Sequence, residues 1–230
     1  MKKVMILTLT LLSFVFIVIN ASAQGIVAKG FKGGINLANI SGDAFEDTDL
    51  KTGFAIGGFF TYSVNDQLSL QPEIYYTSKG FKFNEKEYDS DVDYEISASY
   101  DGSASLNYIE IPVLGVFAVN KNINVFAGPY LDIYLNGKLK IDYDVNYRYL
   151  NPDTNEWETV TDSGSESEDI ESDDIKSPGF GVLFGAEFTA GQFSFGARYS
   201  LGLSNIPDDP EEDEDAKHKV IQFLVGFYLP

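Results

Sequence analysis

The sequence offers few residues for acid–base or nucleophilic chemistry. It contains a single histidine, His218, and no cysteine. A membrane deacylase would carry a His-x-Ser pattern, but the residue two positions after His218 is Val220. With no other histidine, the usual Ser–His and Asp–His arrangements cannot be assembled. We therefore expect a non-enzymatic protein, with His218 as a solvated residue at the end of a strand.

Carboxylates are the reactive groups that the sequence holds in excess. Asp and Glu number 35 against 16 Lys and Arg, which gives a formal net charge of −19. The stretch DSDVDYE at 89–95 alternates oxygen ligands of the kind that Ca²⁺ or Mg²⁺ takes, and DDPEEDEDAK at 208–217 is a second dense acidic run. The predicted divalent-cation ligands are Asp89, Asp91, Asp93, Asp208, Asp209 and Glu212.

The acidic runs have a second interpretation. Neither run has the glycine and closing glutamate of an EF-hand loop, and blocks of like charge are usually disordered. A mobile, solvated surface therefore competes with cation binding for these runs and for SGSESEDIESDDIK at 163–176.

Other charged residues lie inside apolar stretches. Of the 35 carboxylates, 30 fall in long connections at 39–52, 84–104, 141–177 and 206–218, and one lies in a tight turn. The remaining four alternate with large apolar residues, as one arginine and two lysines also do. Strand residues two apart share a face, so each stretch has a charged face and an apolar face. The predicted interior charge network comprises Lys32, Glu73, Lys79, Glu110, Asp132, Glu187 and Arg198.

The elements that position these charges are predicted to be strands. Period-two alternation recurs along the chain, and no helical period extends over ten residues after the N-terminal segment. Tight turns alternate with the long connections, which is typical of an up-and-down barrel of the outer membrane with its long acidic loops outside the cell. The sequence thus predicts an all-β, eight-stranded antiparallel transmembrane barrel with strands at 27–38, 53–64, 67–83, 105–119, 123–140, 178–189, 192–205 and 219–229.

The N-terminal segment predicts export. Two lysines, an uncharged run at 4–19 and the small residues Ala21, Ser22 and Ala23 form a secretory signal pattern. We therefore divide the chain into a signal peptide at 1–23 and a barrel domain at 24–230. The strong negative charge argues against nucleic acid as a partner.

Two features extend this prediction. Pro72, Pro112 and Pro129 fall in three successive strands and predict bulges or bends, because each removes one ladder hydrogen bond. Alternation also continues at 139–149, and WETVT at 157–161 returns, which predicts a hairpin protruding from the membrane, with 92–100 as a neighbouring strand. Its aromatic surface suits a protein or glycan partner, although packing between the strands explains it equally well.

The strand sequences resemble the PorT-like outer-membrane beta-barrel domain proteins of diderm bacteria. The matching segments are KGGINL at 32–37, SLQPEIYYTSKG at 69–80, LNYIEIP at 106–112, FAGPYLDIYL at 126–135 and RYSLGLSNI at 198–206. The resemblance implies an eight-stranded barrel in the outer membrane. One namesake of the family is tied to a protein-secretion apparatus, and most members have no assigned activity.

We therefore expect an integral barrel of the bacterial outer membrane, in contact with its lipid and with other outer-membrane or cell-surface proteins. An eight-stranded barrel is just wide enough to be filled by side chains, so the interior charges should pair and plug the lumen. The expected role is a structural or accessory subunit of a larger complex, with no cofactor beyond Ca²⁺ or Mg²⁺ at the acidic loops. The alternatives are a small-solute or ion channel through the lumen, and a soluble lipocalin-like periplasmic carrier with an apolar interior.

Overall fold

The computed structural model describes residues 25–42, 48–208 and 215–230. The predicted signal peptide at 1–23 lies outside these residues and stays a prediction. Nine antiparallel strands account for most of the described chain. They are β1 (Ile26–Ser41), β2 (Thr48–Ser63), β3 (Leu68–Ser90), β4 (Tyr94–Ala118), β5 (Ile123–Leu150), β6 (Trp157–Ile170), β7 (Gly179–Ala190), β8 (Phe193–Gly202) and β9 (Lys217–Tyr228).

Eight of these strands close into the predicted barrel. Consecutive strands pair from β1 to β5, and β5 then pairs with β7. Consecutive strands pair again from β7 to β9, and β9 pairs with β1 to close the ring. Three tight turns, at 64–67, 119–122 and 191–192, lie at one end, which we call the turn end; the opposite end is the loop end. Gly34 allows the close approach of β1 to β9, since a Cβ built there would lie 1.8 Å from the Phe223 carbonyl oxygen.

The ninth strand, β6, lies outside the ring. The first part of β5 pairs with β7 through Asp132, and its last fourteen residues, Gly137–Leu150, pair instead with β6. Together with the ends of β3 and β4, these strands form a sheet that extends beyond the loop end. We call it the outer sheet and define it as residues 81–90, 94–105, 137–150 and 157–170.

The outer sheet both confirms and corrects the sequence predictions. The protruding hairpin and its neighbouring strand are present, and they are longer than expected. The prediction that 163–176 and the parts of 84–104 outside 92–100 are loops is wrong in part, because residues 163–170 belong to β6 and residues 84–90 and 101–104 belong to paired strands. Backbone pairing with a neighbouring strand holds these acidic segments in extended conformation despite their charge.

The strand faces follow the predicted alternation. A belt of large apolar side chains on the outside of the barrel is exposed, including Phe31, Ile74, Phe117 and Phe184, while the charged positions point inward. This arrangement suits lipid outside and a polar interior. The alternative of a soluble carrier is wrong, since such a carrier needs its apolar side chains inside. Within the described ranges, no helix is long and apolar enough to cross a bilayer.

The prolines do not mark bulges. The register of β3 with β4 is unchanged across Pro72 and Pro112, and that of β5 with β7 is unchanged across Pro129. The register shifts lie elsewhere, and one of them falls between Asn107 and Tyr108 of β4. Each proline thus lacks one ladder bond without inserting a residue, because its neighbours keep the strands aligned.

Candidate functional site: the charged barrel interior

The structure brings the seven predicted interior charges together inside the barrel. They come from six different strands, and in each the side chain is at least nine-tenths buried. Isolated charges at this depth would be very costly, so the arrangement of their partners decides whether the interior is stable.

The charges nearer the turn end form one cluster around Glu73. Lys32 Nζ lies 2.7 Å from Glu187 Oε2 and 3.4 Å from Glu73 Oε1. Arg198 Nη1 donates to Glu73 Oε2 at 2.8 Å, and the Gln71 amide donates to Glu73 Oε1, also at 2.8 Å. Both oxygens of the Glu73 carboxylate therefore have charged or polar donors.

The charges nearer the loop end form a second cluster around Lys79. Its Nζ lies 2.6 Å from Glu110 Oε2 and 2.8 Å from Asp132 Oδ2. Arg198 Nη2 donates to the other Glu110 oxygen at 3.1 Å, so this arginine joins the two clusters. The result is a continuous chain of ion pairs along the interior.

Aromatic rings fill the space beside these cations. The Arg198 guanidinium lies 4.6 Å from the ring centre of Tyr75, and Lys79 Nζ lies 4.9 Å from that of Tyr130. Lys32 Nζ lies 4.7 Å from the ring centre of Phe59. Each cation is therefore held by carboxylates and by an aromatic face, a favourable arrangement when water is excluded.

Neutral polar residues complete the network, and sequence reasoning missed them. Gln222 accepts a hydrogen bond from Arg198 Nε and donates to Asn36 Oδ1 at 2.8 Å. Asn36 in turn donates to Thr77 Oγ1 at 2.8 Å. All three are fully buried. The sequence could have indicated two of them, because Asn36 lies on the same face of its strand as Lys32, and Thr77 lies on the same face as Glu73 and Lys79.

The loop end of the interior is covered by short segments after β6 and β8. Ile175 packs against Leu106, Tyr108 and Tyr134, with Ile170 and Ile206 against the same cluster. The Lys176 backbone N–H donates to the Ile206 carbonyl at 2.8 Å, which ties the two segments together.

His218 lies beneath this cover, which corrects the prediction of a solvated histidine. Its side chain is buried, its Nε2 lies 3.1 Å from the Tyr108 hydroxyl, and the two rings meet edge to face. The strand β9 begins two residues earlier than predicted, so His218 continues the inward alternation of Val220 and Gln222.

The predicted cation ligands are spread over different segments. Asp89 accepts a hydrogen bond from the Tyr94 hydroxyl at 3.1 Å, and Asp91 accepts one from the Val92 backbone. Asp93 lies at the same hairpin tip and Asp208 follows β8, while Asp209 and Glu212 lie outside the described residues. Among the described residues, no three His, Cys, Asp or Glu side chains are grouped to hold a metal ion. Divalent-cation binding therefore stays a prediction.

Comparisons with known proteins find one family model and several solved structures that match this chain. A family model described as "Outer membrane protein beta-barrel domain" matches residues 22–208. A search of curated proteins finds no match. Solved structures that match include Ail, the attachment invasion locus protein of Yersinia pestis, at 14% identity, a TM-score of 0.42 and coverage of 88% of this chain and 98% of that one.

Two other matches have similar scores. Neisserial surface protein A matches at 13% identity and a TM-score of 0.40, with 86% of this chain and 96% of that one covered. CarO of Acinetobacter baumannii matches at 13% identity and a TM-score of 0.35, with 90% and 100% covered. The narrower PorT-like resemblance stays a prediction. The family model covers most of the sequence, and the chain therefore belongs to the outer membrane protein beta-barrel domain family, which places it in the bacterial outer membrane.

Proposed function

We propose that this protein is a non-enzymatic outer-membrane barrel whose lumen is closed by its own side chains. In this proposal the outer sheet contacts other outer-membrane or cell-surface proteins, and the barrel serves as a structural or accessory subunit. The observation that carries the proposal is the continuous chain of buried ion pairs from Glu187 through Arg198 to Asp132.

Width and packing support a closed lumen. A barrel of eight strands leaves an interior that side chains fill. Here that interior holds three cations, four carboxylates and the aromatic rings between them, and the apolar cluster around Ile175 covers its loop end. A solute that crossed the barrel would have to separate several buried ion pairs, each of which is costly to break.

Recording currents through planar lipid bilayers tests this proposal. We expect the wild-type barrel to give no steady single-channel currents. The channel alternative predicts steady currents whose size or ion selectivity changes in Glu110→Gln. The matched control is Asp142→Asn, which removes a carboxylate from the exposed outer sheet. Steady wild-type currents that respond to Glu110→Gln and not to Asp142→Asn would overturn the closed lumen.

The subunit role has a separate test. We expect the protein component of particles extracted from native membranes in mild detergent to have a mass well above that of one chain, measured by light scattering with the mass of bound detergent subtracted. The mass of a single chain would argue for a solitary structural barrel.

Divalent cations belong to the same proposal as further contacts of the acidic segments. Calorimetry with millimolar Ca²⁺ tests this part on the detergent-solubilised protein. No heat and no shift in melting temperature would remove it.

A further inference from the structure

The two faces of the outer sheet have very different charge. Residues directly opposite each other on paired antiparallel strands point to the same side, so the register defines both faces. The face that includes Ala104, Leu106 and Gly137 continues the barrel interior, and we call it the inward face. The register shows no shift within the outer sheet, so each strand keeps one alternation throughout.

The centre of the inward face is aromatic and aliphatic. We call this surface the tyrosine stripe; it consists of Tyr94, Ile96, Ala98 and Tyr100 of β4 and Leu139, Ile141, Tyr143, Val145, Tyr147 and Tyr149 of β5. Most of its side chains are half-buried, and Tyr147 is 39% exposed. The rings of Tyr147 and Tyr149 stack, with centres 5.5 Å apart.

Carboxylates flank the tyrosine stripe on both sides. They are Glu85, Glu87 and Asp89 of β3 and Glu158, Asp162, Glu166 and Glu168 of β6. All seven are exposed. The two rows lie three strand spacings apart, which is about 14 Å. The four strands of the outer sheet place no Lys or Arg on this face. Lys51 of β2 lies at the base of the face, beside Gly80.

The outward face of the same sheet is electrically balanced. It carries the five cations Lys82, Lys86, Lys138, Lys140 and Arg148 and the five carboxylates Glu95, Asp101, Asp142, Asp144 and Asp169. Three ion pairs join them across or along the strands, at 3.4, 2.8 and 3.2 Å. A need for solubility alone does not explain this difference, because it applies equally to both faces.

One carboxylate in each row is held in position by a tyrosine of the stripe. The Tyr149 hydroxyl donates to Glu158 Oε2 at 2.6 Å, and the Tyr94 hydroxyl donates to Asp89 Oδ2 at 3.1 Å. Tyr143 lies across Gly164, where a Cβ would be 2.6 Å from its hydroxyl oxygen. Both edges of the stripe are therefore bordered by oriented negative charge.

We propose that the inward face of the outer sheet binds a cationic polypeptide segment of a partner protein. Aliphatic stems of Lys or Arg would lie on the tyrosine stripe, with their charged ends against the two carboxylate rows. The spacing between the rows accommodates one helix or one extended segment. Cations are also attracted to the faces of the tyrosine rings, and the negative field accelerates the association of a basic segment with this face. This inference rests on the proposed function only in assigning the outer sheet to partner contact.

The test uses the full-length protein in nanodiscs of zwitterionic lipid. The probe is a fluorescein-labelled peptide of six Lys-Thr repeats, and the comparison peptide has six Glu-Thr repeats. We expect the lysine peptide to bind at about 50 mM salt and to bind progressively less as salt rises, because added ions screen exposed charges. Failure of the lysine peptide to bind at low salt would overturn the proposal.

Two triple variants separate the inward face from general charge attraction. The inward variant is Glu87→Gln, Asp162→Asn and Glu166→Gln, and the outward variant is Asp101→Asn, Asp144→Asn and Asp169→Asn. Each removes three negative charges from the same sheet. We expect the inward variant to weaken binding about tenfold and the outward variant by less than about twofold. Equal weakening in both variants would contradict the proposal.

A second measurement does not depend on how well the variants fold. A nitroxide on the lysine peptide should broaden the NMR signals of the Val145 methyl groups, on the inward face, more than that of the Thr161 methyl group, on the outward face. The reverse order would overturn the proposal. A conducting lumen would not change either result, and loss of peptide binding would leave the closed lumen intact.

Discussion

Inside the barrel, four carboxylates meet three cations at distances of 3.4 Å or less, whereas seven carboxylates on the inward face of the outer sheet meet no Lys or Arg of their own strands. Both sets lie on the same continuous side of the strands. The difference is exposure to water, because a buried carboxylate must have a partner within the chain and an exposed one need not. Exposed carboxylates that lack a cationic partner in their own sheet remain available to an external cation.

Removal of a buried cation should have the largest effect on the stability of the barrel. Arg198→Met leaves Glu73 and Glu110 without the cation that joins them, and we expect the free energy of unfolding to fall by about 3–5 kcal/mol. The matched change in the outer sheet, Arg148→Met, should cost no more than about 1 kcal/mol, because its pair with Glu95 is exposed. Urea unfolding in lipid vesicles, followed by far-UV circular dichroism, measures both.

Removal of one buried carboxylate should have a smaller effect. Asp132→Asn takes one of two carboxylates from Lys79, which keeps its 2.6 Å contact with Glu110. Since the interior has one more carboxylate than cations, we expect a loss of only about 1–2 kcal/mol by the same method. A loss as large as that of Arg198→Met would show that the interior charges do not share partners in this way.

The smallest effect concerns Glu158, a carboxylate of the outer sheet that accepts hydrogen bonds from one hydroxyl group and one amide group. Hydrogen bonds from Tyr149 and Asn151 hold the pKa of Glu158 below its usual value. A depressed carboxylate pKa stabilises the fold above the unfolded-state pKa, and that contribution is lost as the pH falls through the folded-state pKa. Tyr149→Phe should raise the pKa of Glu158 towards its usual value, measured by carbon-13 NMR of the carboxyl group.

Tyr147→Phe is the control for this last prediction, since Tyr147 has its ring stacked on Tyr149. Tyr147→Phe should leave the pKa of Glu158 unchanged. An equal shift in both variants would mean that the Tyr149 hydroxyl does not set the Glu158 pKa.

The barrel and its inward charges could be predicted because a charged side chain on the lipid-facing side of a strand is strongly destabilising. A charge towards lipid costs several kcal/mol, so the parity of Glu73, Glu110 and Arg198 along their strands is sufficient to assign them to the interior. The pairing of Lys79 with both Glu110 and Asp132 could not be predicted, because three different strands supply these residues and their relative heights depend on register.

The strand β6 and His218 show where this reasoning fails. The run SESED within β6 has neither apolar alternation nor high strand propensity, and only its pairing with β5 makes it a strand. His218 is buried by Tyr108, which lies 110 residues away in the chain, and by the cover around Ile175. The bulge beside Asn107 also changes which residues of β5 point inward, from Asp132 and Tyr134 before it to Gly137 after it.

The contrast between buried and exposed charges is tested most directly by a pair of double-mutant cycles that measure coupling free energy. One cycle joins Arg198 and Glu73 in the barrel interior, and the other joins Arg148 and Glu95 in the outer sheet. We expect a coupling of about 2 kcal/mol or more for the interior pair and about 0.5 kcal/mol or less for the exposed pair. Coupling near zero for Arg198 and Glu73, or equal coupling in the two cycles, would contradict this contrast.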